Sequence, residues 1–182
     1  MVSIHVNENI QLRSYTAKDA QPLFDAVSYS RQHLHPWLDW VDKTTKPEHS
    51  LQFIQQSIHQ LNTQEGLTLG IFYDEKIIGG IGMHQWEHNL KRAQVGYWIT
   101  KEYEGKGIMS VCLEKFADFL FYKTGLNKLE IHFVPANKRS AKLAERLGFK
   151  VEGVIRQGFI RNGMPEDLVI TGLLKSEWQA RS

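Results

Sequence analysis

RAQVGYWI at 92–99 alternates along its length and runs almost at once into the glycine-bearing KEYEGKGIMS at 101–110. That loop opens a long apolar-striped segment reaching about Lys123. A strand that passes through two glycines into a helix constrains the fold strongly, because the sheet it belongs to must be covered by helices. Ala93, Val95, Tyr97 and Ile99 point one way along the strand, since successive side chains alternate. Cys112, Phe116, Ala117 and Leu120 fall on one face of the helix. Gly105 and Gly107 lack a Cβ, so their backbone can approach a bulky anion closely. The start of the helix leaves unpaired N–H groups and a positive dipole end, which suits phosphate. Lys106 and Ser110 add a charge and a hydroxyl. A plain strand-to-helix loop explains the two glycines equally well, so this unit alone does not fix a ligand. Gly107 stands where a P-loop needs Ser or Thr, and the three-glycine dinucleotide fingerprint is missing.

The rest of the chain supplies the partners such a unit needs. Ile10, Leu12, Ser14 and Tyr15 suggest a first strand, and Thr16 an N-cap for a helix from Ala17 to about Ser30. Arg31 to Lys46 reads as a loop holding HLHPWLDW, and Pro47 with Glu48 starts a second helix. LTLGIFY (67–73) and KIIGGIGM (76–83) form a hairpin at Asp74-Glu75. Leu129, Ile131 and Phe133 give another strand, and Asn137 opens a helix that Gly148 ends. Strands near 150–159 and 167–174 flank a turn at Asn162-Gly163. The expected class is α/β (α+β), a mixed, mostly antiparallel sheet of about six or seven strands with helices on both faces.

Composition bounds the function. The chain has 182 residues with 42% hydrophobic and 23% charged, a globular mix with no linker, so one domain over 1–182 is expected. A net charge of +2 without a dense basic run argues against nucleic acid. No apolar stretch approaches the roughly 20 residues that cross a membrane, and no signal segment opens the sequence. Cys112 stands alone and has no internal disulfide partner, so a reducing, cytoplasmic location is expected. Aromatic residues exceed what one small core needs, which points to a homodimer or higher homo-oligomer.

HQWEH at 84–88 fits the inverted zinc-protease pattern, but that pattern aligns its ligands only on a helix. Here it follows a strand, so two hydrogen-bonded histidines and no metal are expected. Trp37 and Trp40, in the loop with Pro36, serve either as core anchors or as a substrate wall.

EYEGKGIMS (102–110) resembles the acetyl-coenzyme A pyrophosphate loop of the GNAT superfamily, and NKRSAKLAERLGF (137–149) resembles its second landmark. VGYWI matches the family's splayed fourth strand, while Glu102 stands where many members have Gln or Arg. HPWLDW, YWITKEYEGKGIMS and EGVIRQGFIRNGMPEDLVITGLL together resemble the RimL-type ribosomal-protein serine N-acetyltransferases, from about Ile10 to Trp178.

The resemblance implies an N-acetyltransferase using acetyl-CoA, bound where the fourth and fifth strands diverge. It implies that Trp98, Ile99 and Thr100 offer backbone to the pantetheine arm. Glu104, Gly105, Lys106, Gly107, Ile108, Met109 and Ser110 surround the pyrophosphate. Asn137 bonds the pantetheine amides, and Ser140 sits near the sulfur and protonates it. An α-amino group, with a free pKa of about 7.7–8.0, needs little help to lose its proton. Close relatives carry a carboxylate at the position of Gly158, which cannot serve as base. The candidates are then Glu87, Glu130 and His132, with His84 beside Trp37 and Trp40 on the substrate side; alternation puts Glu130 and His132 on one face. If none of them acts, the rate should follow the pKa of the acceptor amine. Three functions stay open: an N-terminal protein acetyltransferase of ribosomal type, a small-amine (polyamine or drug) acetyltransferase, and a non-catalytic acyl-CoA-binding module.

Overall fold

The computed structural model describes residues 1–180, so the last two residues of the expected domain lie outside the described residues. Eight strands form one sheet: β1 Ser3–His5, β2 Ile10–Arg13, β3 Leu67–Tyr73, β4 Lys76–Glu87, β5 Arg92–Ile99, β6 Lys128–Phe133, β7 Lys150–Arg161 and β8 Met164–Leu174. The helices are α1 Ala20–Tyr29, α2 Arg31–Leu34, α3 Pro47–Asn62, α4 Ile108–Tyr122, α5 Lys138–Arg146 and α6 Lys175–Gln179. Strand order is β1-β2-β3-β4-β5-β6-β8-β7, and the pairings are antiparallel except β5 with β6.

Two sequence expectations need correction. The sheet has eight strands rather than six or seven, because Ser3–His5 pairs with β2 from Ser3↔Arg13 to His5↔Gln11; three alternating residues carry too little periodicity to be seen. The segment 31–46 is not wholly loop: it holds α2 and a 3-10 turn at Asp39–Val41, pinned by the Arg31 guanidinium donating to the carbonyls of Val41 and Thr44. The two expected hairpins form with left-handed pairs at their turns, Asp74 with Glu75 and Asn162 with Gly163, as two-residue turns between twisted strands require.

Helices pack on both faces of the sheet. One core sets Ile71, Ile81, Val95, Leu129 and Ile131 against Cys112, Phe116 and Leu120 of α4 and Leu147 beyond α5. The other gathers Leu23 and Val27 of α1, Leu34 of α2 and Ile54 of α3 around Tyr15, Phe72 and Ile77. Neighbours such as Ile71 and Phe72 enter different cores, as the strand period requires. No described helix is long and apolar enough to cross a membrane.

The site is created by a failure of pairing. β5 and β6 run parallel and pair only at Arg92–Lys128, Ala93–Leu129 and Gln94–Glu130. Beyond that point β5 continues to Ile99, bonded to β4 alone, and β6 to Phe133, bonded to β8. The expected splay therefore exists, between the fifth and sixth strands once β1 is counted.

Candidate active site

A cleft of about 460 Å3 occupies the gap and is lined by Val95–Ile99 of β5 and Ile131–Phe133 of β6. Its floor toward α4 is the glycine loop. Gly105 and Gly107 have φ of +75° and +76°, and a Cβ built on either meets nothing within 4 Å. Open space and a left-handed backbone both select glycine here. Gly107 N-caps α4, and no side chain caps that helix, so its leading N–H groups face the cleft with the positive end of the dipole. These features fit a pyrophosphate. Glu104, Gly105, Gly107, Ile108, Met109 and Ser110 line the cleft, whereas the Lys106 ammonium lies 5.1 Å over the Tyr103 ring and outside the lining. Trp98 and Ile99 also line it; Thr100 is buried below, its N–H donated to the Ile78 carbonyl at 2.8 Å.

On the α5 side, Asn137 Oδ1 accepts the Ser140 N–H at 3.2 Å. The capping role thus belongs to Asn137, which leaves the Ser140 hydroxyl for other work. Ser140 Oγ lies 3.3 Å from the Tyr97 hydroxyl, and both residues line the cleft. Burial pushes the Tyr97 phenol up to about 12 despite the Ser140 contact, so it stays neutral.

The opposite face of the sheet carries the base candidates. His132 lines the cleft and its Nε2 is 3.0 Å from Glu130 Oε2. Burial raises the Glu130 carboxyl, but hydrogen bonds from Lys128 and His132 and the charges of Lys128 and Arg92 outweigh it and hold it below its usual value. Glu130 therefore stays ionised beside His132 and lies outside the cleft lining. His84, on β4, lays its ring against Gly96, whose built Cβ would come within 3.3 Å of it. Packing lowers its pKa, and His132 nearby lowers it further against a bond from Gln94. Glu87 lies at the far end of β4, accepting the Asn89 N–H at 3.0 Å, away from the cleft. His88, the second histidine of HQWEH, is 2.9 Å from the Gln64 carbonyl and stacks on Trp86.

Trp37 lines the cleft, whereas Trp40 packs in the α1–α3 core, 6.0 Å from Trp98. Trp37 thus borders the cleft, and Trp40 belongs to the core. A Cβ on Gly158 would sit 2.8 Å from Ile155 Cγ2, because β7 bulges between Ile155 and Phe159. A carboxylate does not fit there without a shift of the strand.

Several lining residues were not picked out from sequence. Phe159 and Leu168 come from the β7–β8 hairpin, and His33 from α2. Glu104 points its carboxylate at nitrogen groups from three elements: the His33 ring at 2.6 Å, Arg139 at 2.5 Å and Lys101 at 3.7 Å.

Residues 9–150 match the family described as the Acetyltransferase (GNAT) domain, and the chain belongs to this family. It is an N-acetyltransferase. A protein of Bacillus subtilis (strain 168), YdaF, provisionally named a ribosomal N-acetyltransferase, is 34% identical over 98% of both chains. The ribosomal-protein-serine acetyltransferase of Escherichia coli (strain K12) is 24% identical over 91% of this chain and 93% of its own. Among solved structures, the self-immunity acetyltransferase MccE, in complex with acetyl-CoA and AMP, superposes with a TM-score of 0.88 at 28% identity, covering 93% and 94% of the two chains. The RimL L7/L12 acetyltransferase with coenzyme A superposes at 0.93 and 23% identity, covering 97% and 99%, a likeness of fold.

Proposed function

We propose that the chain transfers acetyl from acetyl-CoA to the N-terminal α-amino group of a protein, foremost a ribosomal protein beginning with Ser. The observation that carries this reading is the unpaired stretch of β5, with the glycine loop and Ser140 on one face and the His132–Glu130 pair on the other. The names of the relatives support a ribosomal acceptor. A cytoplasmic site of action fits that acceptor.

Bound acetyl-CoA supplies an electrophilic thioester carbonyl and a thiolate leaving group. Asn137, whose Oδ1 is taken by its cap, has its amide N–H groups for the pantetheine. A free N–H of β5 stabilises negative charge developing on the carbonyl oxygen. The amine nitrogen bonds the carbonyl carbon and the C–S bond breaks; His132, oriented by Glu130, takes the proton that nitrogen loses, and Ser140 relays a proton to the departing sulfur as its own is replaced from cleft water. His132 acts as base where Gly158 has none to offer. The pH–rate inflection should then stay fixed for acceptors of different pKa and disappear in His132→Gln. An inflection that follows each acceptor amine in the parent enzyme removes His132 from this role.

Among the described residues lining the cleft, Glu104 is the one carboxylate, and Arg139, Lys101 and the His33 ring already surround it. A polycation therefore finds no free anion, which favours a peptide N-terminus over a polyamine. Thiol release with Ser-initiated peptides, spermidine and free lysine tests this. Peptides should turn over fastest; faster turnover of spermidine moves the chain to the small-amine branch. The exposed Val151, Val154, Ile155 and Ile160 of β7, the outer strand, support a homodimer.

A further inference from the structure

The glycine loop contains a feature at odds with phosphate binding: a carboxylate one residue before Gly105. Glu104 is largely buried, with 14% of its side chain exposed, and its partners reach it from three directions. His33 Nε2 of α2 lies 2.6 Å from Oε2, Arg139 Nε of α5 lies 2.5 Å from Oε1, and Lys101 lies 3.7 Å away in the preceding turn. An anion cannot hold another anion, so the Glu104 carboxylate is no ligand for pyrophosphate. It joins the loop instead to the helix that leads into the Trp37 wall and to the helix that carries Ser140. Leu34, next to His33, is buried in the α1–α3 core, and its carbonyl accepts the Trp37 N–H at 2.9 Å. Glu104 thus bridges the glycine loop to the helix that precedes Trp37.

We propose that Glu104 is a positioning residue that couples the cofactor loop to the acceptor wall, and that cofactor binding drives a proton onto His33. The proposal rests on the acetyl-CoA reading above and adds a link between its two substrates. The groups facing His33 are Glu104 from the loop, Lys101 from the preceding turn and Arg139 from α5. Burial lowers the pKa of His33; Glu104 opposes this, and Lys101 and Arg139 reinforce it, so the ring lies below its ordinary value. Phosphate charge arriving at the loop offsets the two cations and favours the imidazolium. The sign follows from linkage: if the bound state holds more proton, coenzyme A binds more weakly as pH rises through the His33 window. The imidazolium then grips Glu104 more firmly and fixes the wall for the acceptor.

Calorimetric titration with coenzyme A near neutral pH, in two buffers of different ionisation enthalpy, counts the protons taken up. The parent should take up a measurable fraction of a proton, and His33→Asn distinctly less. Glu104→Gln, nearly isosteric, should likewise lose uptake and raise the acceptor KM about 5-fold, in the usual range for coupled sites, with the acetyl-CoA KM little changed. Equal proton uptake in the parent and His33→Asn overturns the proposal. So does a Glu104→Gln enzyme that binds coenzyme A more tightly and leaves the acceptor KM unchanged, since Glu104 would then only repel phosphate. Failure of the parent to bind coenzyme A at all overturns the cofactor reading itself.

Discussion

Asn137 and Ser140 divide two tasks that a helix start often leaves to one residue. Asn137 closes the first turn of α5 by accepting the Ser140 N–H, so Ser140→Ala should leave the melting temperature nearly unchanged. Its kcat should fall by about 100-fold or more, the usual scale for a lost proton donor, while acetyl-CoA affinity holds. Asn137→Ala should cost about 1 kcal/mol of stability as a lost cap. A destabilised Ser140→Ala with near-normal kcat would reverse the two roles. Asn137 was legible because capping residues are few and local. That Glu130 and His132 share a face was legible from strand alternation, whereas their 3.0 Å contact was not. The bulge at Gly158 was not: Ile155 blocks a Cβ there through a register shift of β7 against β8, and such shifts leave no local pattern. Trp37 and Trp40 show the same limit, since which of two nearby indoles faces the cleft depends on how α2 docks.

At the scale of elements, β5, the glycine loop and α4 were readable because each signal is confined to adjacent residues. What could not be read locally was where the parallel ladder of β5 and β6 stops, since that depends on two segments about thirty-six residues apart in sequence. The short β1 and the C-terminal α6 escaped for lack of length. The loop offers a direct check. Gly107 lies at φ +76°, a conformation that costs an L-residue about 1–2 kcal/mol. Gly107→Ala should therefore lower the melting temperature and lose the stabilisation that acetyl-CoA gives the parent. Equal ligand stabilisation in variant and parent contradicts a phosphate site at this loop, because ligand that binds only the folded state must raise its stability.

The glycine loop with Ser140 and the His132–Glu130 pair lie on opposite sides of one gap in the sheet, and the β7–β8 hairpin borders one end of it. Phe159 and Leu168 bring β7 and β8 to the cleft, and the Arg161 guanidinium lies 5.4 Å over the Trp37 ring. The class of fold follows from the order of elements, but this arrangement joins residues far apart in sequence and belongs to the tertiary structure alone. The same hairpin ends in the outer strand β7 with its exposed apolar side chains. Light scattering should therefore report a dimer, and Ile155→Lys with Ile160→Lys should shift it to monomer; a parent that is monomeric at high concentration removes the pairing.

On the proposed reading, the gap between β5 and β6 delivers acetyl to an α-amine. Its most direct test is fragmentation mass spectrometry of a Ser-initiated peptide that also contains an internal lysine, after incubation with the enzyme and acetyl-CoA. One acetyl group on the N-terminal fragment ions, absent when Ser140→Ala and His132→Gln are combined, is the predicted result. An unchanged peptide, or acetyl on the lysine side chain, contradicts it.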